Sequence, residues 1–253
     1  MNVPAYLDRI NYRGPLNVDA EALRQLHVAH LRSVPFENLS IHAHEPVSLD
    51  DESLFEKIVT RRRGGFCYEL NGLFAALLRA LGFQVAMLSA EVANDDGTFS
   101  APFDHLTLMV TLEQRWLADV GFGDSFIEPL RIDESAAQTQ GDRSYRIQPD
   151  DNHSDYLVMQ QKTGGAGGWK AGYRFKLTTY QYADYLERCL FHQTSPESHF
   201  TQNRICSMVT PAGRISVSDK RFIITENGVR TDYPVTSNEE YRQLLREHFG
   251  VVV

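Results

Sequence analysis

Cys67, His105 and Asp119 stand in the order and the local settings that acyl transfer through a thiol requires. Cys67 follows Gly64-Gly65-Phe66. It precedes an apolar run in which Leu70, Leu73, Phe74, Leu77, Leu78 and Leu81 recur at helical spacing, and Gly82 stops the run. The pattern places the thiol at a helix N-terminus. There it faces unpaired N–H groups and the positive end of the helix dipole, which favour thiolate over thiol. The same amides offer a place for an oxyanion. A cysteine without such a setting reads as a small buried hydrophobe. The glycine pair and the helix start lift Cys67 out of that class.

His105 opens an alternating run through Val110, so its side chain sits at a strand end, where it can take a thiol proton. Asp119 interrupts the apolar run Trp116 to Val120. A buried carboxylate is costly unless paired. A bond to His105 would fix the imidazole tautomer and stabilise its charged form. The blander readings are a histidine satisfied at a strand start and a turn aspartate served by Gly121 and Gly123. The 14 residues from His105 to Asp119 fit a hairpin, and the helix of Cys67 comes 38 residues earlier.

The elements that must position these groups change character along the chain. Asp19 caps a helix through Leu23, Leu26, His30 and Leu31 that ends before Pro35. Asp51 to Arg61 reads as a second helix. Strands are expected at Phe83 to Val92, His105 to Leu112, Arg115 to Val120, Tyr156 to Gln160 and Tyr173 to Leu177. Thr163 to Gly168 is a loop by composition, and Thr178 to Cys189 fits a helix. Hairpins follow at Ile205 to Val209, Arg214 to Val217, Phe222 to Thr225 and Val229 to Thr231, with Asn227-Gly228 as one turn. Ser237 and Glu240 form a capping box for a last helix. Helices, then strands, then a mixed end make an α+β chain of about three subdomains.

Bulk properties exclude some classes. The chain has 253 residues with 25 Lys and Arg against 33 Asp and Glu, a formal charge of −8 and no basic run. That argues against nucleic-acid or membrane-surface binding. Cys67, Cys189 and Cys206 are too scattered for a disulfide framework, and the lack of a C-x-x-C pair argues against zinc. No stretch has transmembrane length, and Met1 to Gly14 lacks the apolar run of a leader. A reduced cytoplasmic protein is expected.

Several segments together resemble the arylamine N-acetyltransferases. Arg63 to Asn71 looks like that family's active-site motif, and Pro35-Phe36-Glu37-Asn38-Leu39 like its N-terminal signature. His105 and Asp119-Val120-Gly121-Phe122-Gly123 match its remaining catalytic positions. Thr194 to Phe200 and Asn203 match a further block. The resemblance implies an N-terminal helical bundle (1–82), a central β-barrel (83–190) and a C-terminal α/β lid (191–253), with a cysteine-protease-like triad of Cys67, His105 and Asp119. It implies acetyl-CoA as co-substrate, no permanently bound cofactor, no metal, and a ping-pong route through acetyl-Cys67 to the nitrogen of an arylamine or hydrazine. Phe122, Phe200 and Phe36 would line the substrate site, and Gly121, Gly123, Thr107 and Ser198 would meet CoA. Expected partners are acetyl-CoA and small aromatic amines or hydrazines, to a monomer or homodimer. Glu37 and Asn38 are expected to brace the site loop, with Arg63 holding Glu37, while Arg61 and Arg62 read as a solvated helix end. A papain- or transglutaminase-like hydrolase using the same triad is the alternative enzyme, although no papain-type block is present. A binding protein would have no need of all three triad residues.

Overall fold

The computed structural model describes residues 1–164 and 167–252. Gly165 and Ala166, in the glycine-rich loop expected at Thr163 to Gly168, lie outside the described residues. The N-terminal third is helical. Helix α1 (Val3–Arg9) is too short to show a period in the sequence and was not expected from it. Helix α2 (Ala20–Ser33) begins where Asp19 Oδ1 accepts from the Ala22 amide at 2.8 Å. It ends at Val34, whose extended backbone follows from Pro35 next in line. Strand β1 (Phe36–Glu37) and helix α3 (Leu39–His42) lead to α4 (Asp51–Phe55). The single helix expected over Asp51 to Arg61 changes pitch: α4 widens into a π turn at Glu56–Thr60. Helix α5 (Cys67–Ala80) follows, with every residue from Cys67 to Ala75 buried. It is the axis of the helical layer rather than a surface helix.

Eight antiparallel strands come next: β2 (Gln84–Val92), β3 (His105–Thr111), β4 (Arg115–Ala118), β5 (Leu130–Arg131), β6 (Gln138–Gln140), β7 (Arg143–Pro149), β8 (Leu157–Thr163) and β9 (Lys170–Tyr180). They run in the order β5-β4-β3-β2-β9-β8-β7-β6. Side-chain amides join the two edges. Gln138 accepts from the Arg131 amide at 2.8 Å and donates to the Arg131 carbonyl at 3.0 Å. Gln140 accepts from Ile127 and Glu128 amides and donates to the Glu128 carbonyl at 2.7 Å. The edge groups that would template aggregation are thereby satisfied. One core fills the barrel, around Leu117, Phe126, Tyr145, Met159, Tyr173 and Phe175. The other face of β3, carrying Leu106, Leu108 and Val110, packs on the helices. Both faces of this strand are therefore buried, and His105 and Thr107 lie on the barrel side.

The helix expected over Thr178 to Cys189 starts later. Thr178 and Thr179 stay in β9, where Thr179 pairs with Leu88 and Tyr180 with Met87. β-branched side chains fit the pleat better than a helix. After a 3₁₀ turn at Tyr182–Tyr185, α6 (Leu186–Thr194) and α7 (His199–Gln202) follow. Strands β10 (Ile205–Thr210), β11 (Gly213–Ser218), β12 (Arg221–Glu226) and β13 (Val229–Pro234) form the expected hairpins. Asn227 and Gly228 take φ of 49° and 79°, the left-handed pair of a two-residue turn. Helix α8 (Asn238–Leu244) covers this sheet. Ser237 caps it as expected, but Glu240 reaches Thr236 rather than the Ser237 amide, so the box is displaced by one residue. One edge strand of the sheet is β1, from the N-terminal third: Phe36 pairs with Ser207 and Glu37 with Cys206.

One buried cation ties the start of the chain to this frame. Arg9 donates to the Ile58 carbonyl at 2.8 Å, to Arg63 at 3.2 Å, to Arg62 at 3.3 Å and to Ser33. Burial pulls its pKa down to about 10, so it stays charged at neutral pH. Arg9→Met leaves four carbonyls without this donor. It should lower the unfolding free energy by about 3 to 5 kcal/mol, read from the urea midpoint.

Candidate active site

The loop before Cys67 is held from both sides by buried ion pairs. On one side Arg63 meets Glu37, with Nε to Oε1 at 2.9 Å and Nη2 to Oε2 at 3.2 Å. The same carboxylate accepts from the Gly64 amide at 3.2 Å and the Leu39 amide at 2.7 Å. Glu37 thus braces the loop, with Arg63 as its partner, while Arg61 and Arg62 are exposed. On the other side Glu69 accepts from the Phe66 amide at 3.1 Å and from Lys57 Nζ at 2.6 Å. A carboxylate in the first turn of α5 also suits its dipole. Gly64 is required by close approach rather than by a left-handed backbone: a Cβ there would sit 2.0 Å from the Pro35 carbonyl. The loop runs beside Phe36 as a parallel bridge to Gly65.

Cys67, at the first position of α5, is 3% exposed. Burial pushes its thiol well up, and a hydrogen bond from the Leu106 main chain pulls the other way without overcoming it. Cys189 is pushed up to about 12 by its own burial, and Cys206 rises for the same reason.

His105, at the start of β3, places Nε2 2.6 Å from Asp119 Oδ2. The carboxylate only accepts, so Nε2 carries the proton and Nδ1 of the neutral ring is the acceptor. Burial works against the Asp119 charge, but the His105 charge and hydrogen bond, Asn71 and the Gly121 amide hold its carboxyl below the usual range. Strand β4 stops at Ala118 rather than Val120, because the chain turns there to wrap this carboxylate. Asp119 Oδ1 accepts from Asn71 Nδ2 at 2.9 Å and from the Gly121 amide at 3.0 Å.

Asn71 stands four residues after Cys67, on the same face of α5. Besides Asp119, its Nδ2 donates to the Leu106 carbonyl at 2.7 Å, and its Oδ1 accepts from Val120 at 2.9 Å. One amide side chain thus registers the helix, the strand and the loop against each other. His27, on α2, accepts from the Asp119 amide through Nε2 at 2.9 Å, while its Nδ1 bonds the Ile127 carbonyl at 2.7 Å. Neither residue was singled out from the sequence. The signal available was a polar residue inside the apolar stripe of each helix. Tyr173 was missed as well; its ring centroid lies 5.2 Å from that of His105.

Of the expected substrate residues, Phe122 is half-buried with its ring 5.0 Å from His105. Phe36 and Phe200 are half-buried at 6.1 Å from each other, and Phe200 is 5.7 Å from Phe66. Gly121 backs onto α5: a Cβ there would lie 2.7 Å from Cys67 Cα. Gly123 has a φ of +84° and open space around it. The structure does not leave the Thr107 and Ser198 side chains open to a ligand. Thr107 is fully buried, with its hydroxyl 3.3 Å from that of Tyr173. Ser198 is 2% exposed and caps α7. Asn38 donates to the carbonyls of Phe200 and Asn203 at 2.9 and 2.8 Å, which ties their segment to β1. Among the described residues no helix is long and apolar enough to cross a membrane.

Two outcomes follow from this packing. Gly121→Ala drives a methyl into the start of α5 and should destabilise the protein by about 1 to 3 kcal/mol, with loss of any chemistry at Cys67, checked by thermal unfolding and thiol alkylation rate. Burial lowers His27 to about 4 from an unfolded value of 6.5. The unfolded chain therefore binds the extra proton between these values. Stability is complete above pH 6.5 and falls as the pH drops towards 4, by about 3 kcal/mol in all. His27→Gln keeps an acceptor for Asp119 and should flatten that stretch of a urea-midpoint profile.

A family model described as N-acetyltransferase matches residues 19–253. An arylamine N-acetyltransferase of Escherichia coli (strain K12) is 35% identical over 226 residues, 88% of this chain and 79% of that protein. The solved arylamine N-acetyltransferase of Salmonella typhimurium superposes with a TM-score of 0.91 at 31% identity, over 98% of this chain and 90% of that one. The Mycobacterium marinum enzyme solved in complex with CoA gives 0.90 at 32%, over 98% and 92%.

Proposed function

Since this chain belongs to the arylamine N-acetyltransferase family, we propose that its Cys67 carries an acetyl group from acetyl-CoA to the nitrogen of an arylamine or hydrazine. The observation that carries the reading is the buried 2.6 Å bond between His105 and Asp119, registered by Asn71 on the helix that Cys67 opens.

The route runs in two halves. His105 takes the Cys67 proton through Nδ1, and Asp119 stabilises the resulting imidazolium. The thiolate attacks the thioester carbonyl. The oxyanion of the tetrahedral intermediate is met by amides at the start of α5. The bond to the CoA sulfur breaks, and the proton on His105 passes to the departing thiolate. Acetyl-Cys67 remains, and thioester exchange of this kind is nearly balanced. An arylamine, largely unprotonated at neutral pH, then attacks the same carbonyl. His105 accepts its proton, the bond to Cys67 breaks, and the amide leaves. Phe122, Phe36 and Phe200 form the apolar wall against which an aromatic ring rests, and they limit the access of water to the thioester. The open backbone at Gly123 gives room for the pantetheine arm. Three free, buried cysteines suit a reducing compartment such as the cytoplasm.

Intact mass after mixing with acetyl-CoA alone tests the reading. The protein should gain one acetyl group, and Cys67→Ala should gain none. Peptide or ester hydrolysis without an adduct would point to a hydrolase instead. Asp119→Asn should keep the fold and lose about three to four orders of magnitude in kcat, because the His105 tautomer is no longer held.

A further inference from the structure

We propose that His192 is a positioning residue for the acceptor half of this reaction, holding Phe200 through Ser198 so that an aromatic ring is seated beside Cys67. The inference rests on the acetyltransfer reading above.

Ser198, His192 and Asp104 have the order of a hydrolytic triad. Ser198 Oγ lies 3.0 Å from His192 Nδ1, and His192 Nε2 lies 2.9 Å from Asp104 Oδ1. Two facts exclude a nucleophile. Ser198 is 2% exposed, and its Oγ accepts from the Phe200 amide at 3.2 Å as the cap of α7. The hydrogen bonds then form one continuous chain. The Asp104 carboxylate only accepts, so His192 Nε2 donates to it. Nδ1 shares a hydrogen bond with the Ser198 hydroxyl, whose oxygen also accepts from the Phe200 amide. Asp104 also accepts from Arg188 Nε at 2.7 Å. Burial disfavours its charge, but His192 and Arg188 outweigh this and hold it at about 2. The far end of the chain is thus a firm anchor, one residue before His105.

The near end is the wall of the site. The Phe200 backbone is gripped on its N–H by Ser198 and on its carbonyl by Asn38 at 2.9 Å. Its ring meets His192 edge-on at 5.2 Å and Phe66, the neighbour of Cys67, at 5.7 Å. Asp104 and Ser198 are far apart in the sequence, and His192 spans from Asp104, at the head of β3, to Ser198, the cap of α7. Loss of that span leaves the thiol, His105 and Asp119 in place but frees the ring that an aromatic acceptor would lean on.

The test uses His192→Gln, Ser198→Ala and the double variant, with acetyl-CoA as donor and aniline or hydrazine as acceptor. In a double-displacement reaction kcat/KM for each substrate reports its own half. The value for aniline should fall about fivefold to tenfold, the worth of one hydrogen bond. The values for acetyl-CoA and for hydrazine, which has no ring, should stay within about twofold. The double variant should be no worse than either single one, because the chain acts as a unit. A parallel fall for acetyl-CoA would make Ser198 a CoA contact or the effect a general one, and either overturns the proposal. Additive losses, or unchanged aniline values in protein that acetylates normally, overturn it too. Wild-type protein that takes no acetyl group overturns the acetyltransfer reading and the positioning role with it.

Discussion

The arrangement depends on keeping one carboxylate charged inside the protein. Asp119 is 2% exposed, and such a charge is tolerable only with its partners in place. His105 supplies the opposite charge when it is protonated, and Asn71 and the Gly121 amide fill the other oxygen. These partners come from α5, β3 and the turn after β4, and His27 on α2 secures the Asp119 amide. Satisfying one oxygen pair thus requires the helical layer and the barrel to meet in a single register. Gly121 shows how tight that meeting is, since there is no room for a methyl between it and Cys67.

The Cys67 thiol obeys a second balance. Burial disfavours a thiolate there, and a hydrogen bond from the Leu106 main chain opposes burial without overcoming it. The ion pairs Arg63–Glu37 and Lys57–Glu69 hold the loop that leads into Cys67 from both sides. Their worth lies in placement, because a buried pair gains little net stability over an apolar one.

Long-range crossings of the chain decide which walls surround that thiol. Strand β1 leaves the helical third to become the edge of the C-terminal sheet, and it carries Phe36 and Glu37 to the site. Asn38 and His192 then bind the segment of Phe200, one at the Phe200 carbonyl and the other at the Ser198 hydroxyl. The barrel closes through the side chains of Gln138 and Gln140, which do the work of backbone pairing where β5 and β6 are too short to reach one another.

Much of this was legible in the residues. The α5 helix follows from its apolar spacing, the α2 start from Asp19, and the C-terminal hairpins from their alternation and from Asn227-Gly228. The three candidate residues could be picked out because each breaks a local pattern: a thiol at a glycine-rich helix start, a histidine opening a strand, a carboxylate in an apolar run. Other features were hidden because local propensity does not decide them. Thr178 and Thr179 stay in β9 because β2 offers them a ladder. The α4 helix widens at Glu56–Thr60, where the Thr60 to Phe66 segment must leave for the site. Asn71, His27 and His192 look like stray polar residues on helices until the folded chain shows what each one holds. The residues determined which chemistry was available at Cys67. The tertiary structure decided that the imidazole and the carboxylate would meet beside the helix that Cys67 opens, because hydrogen bonds between distant groups such as Asn71 and Asp119 exist only after the layers have packed.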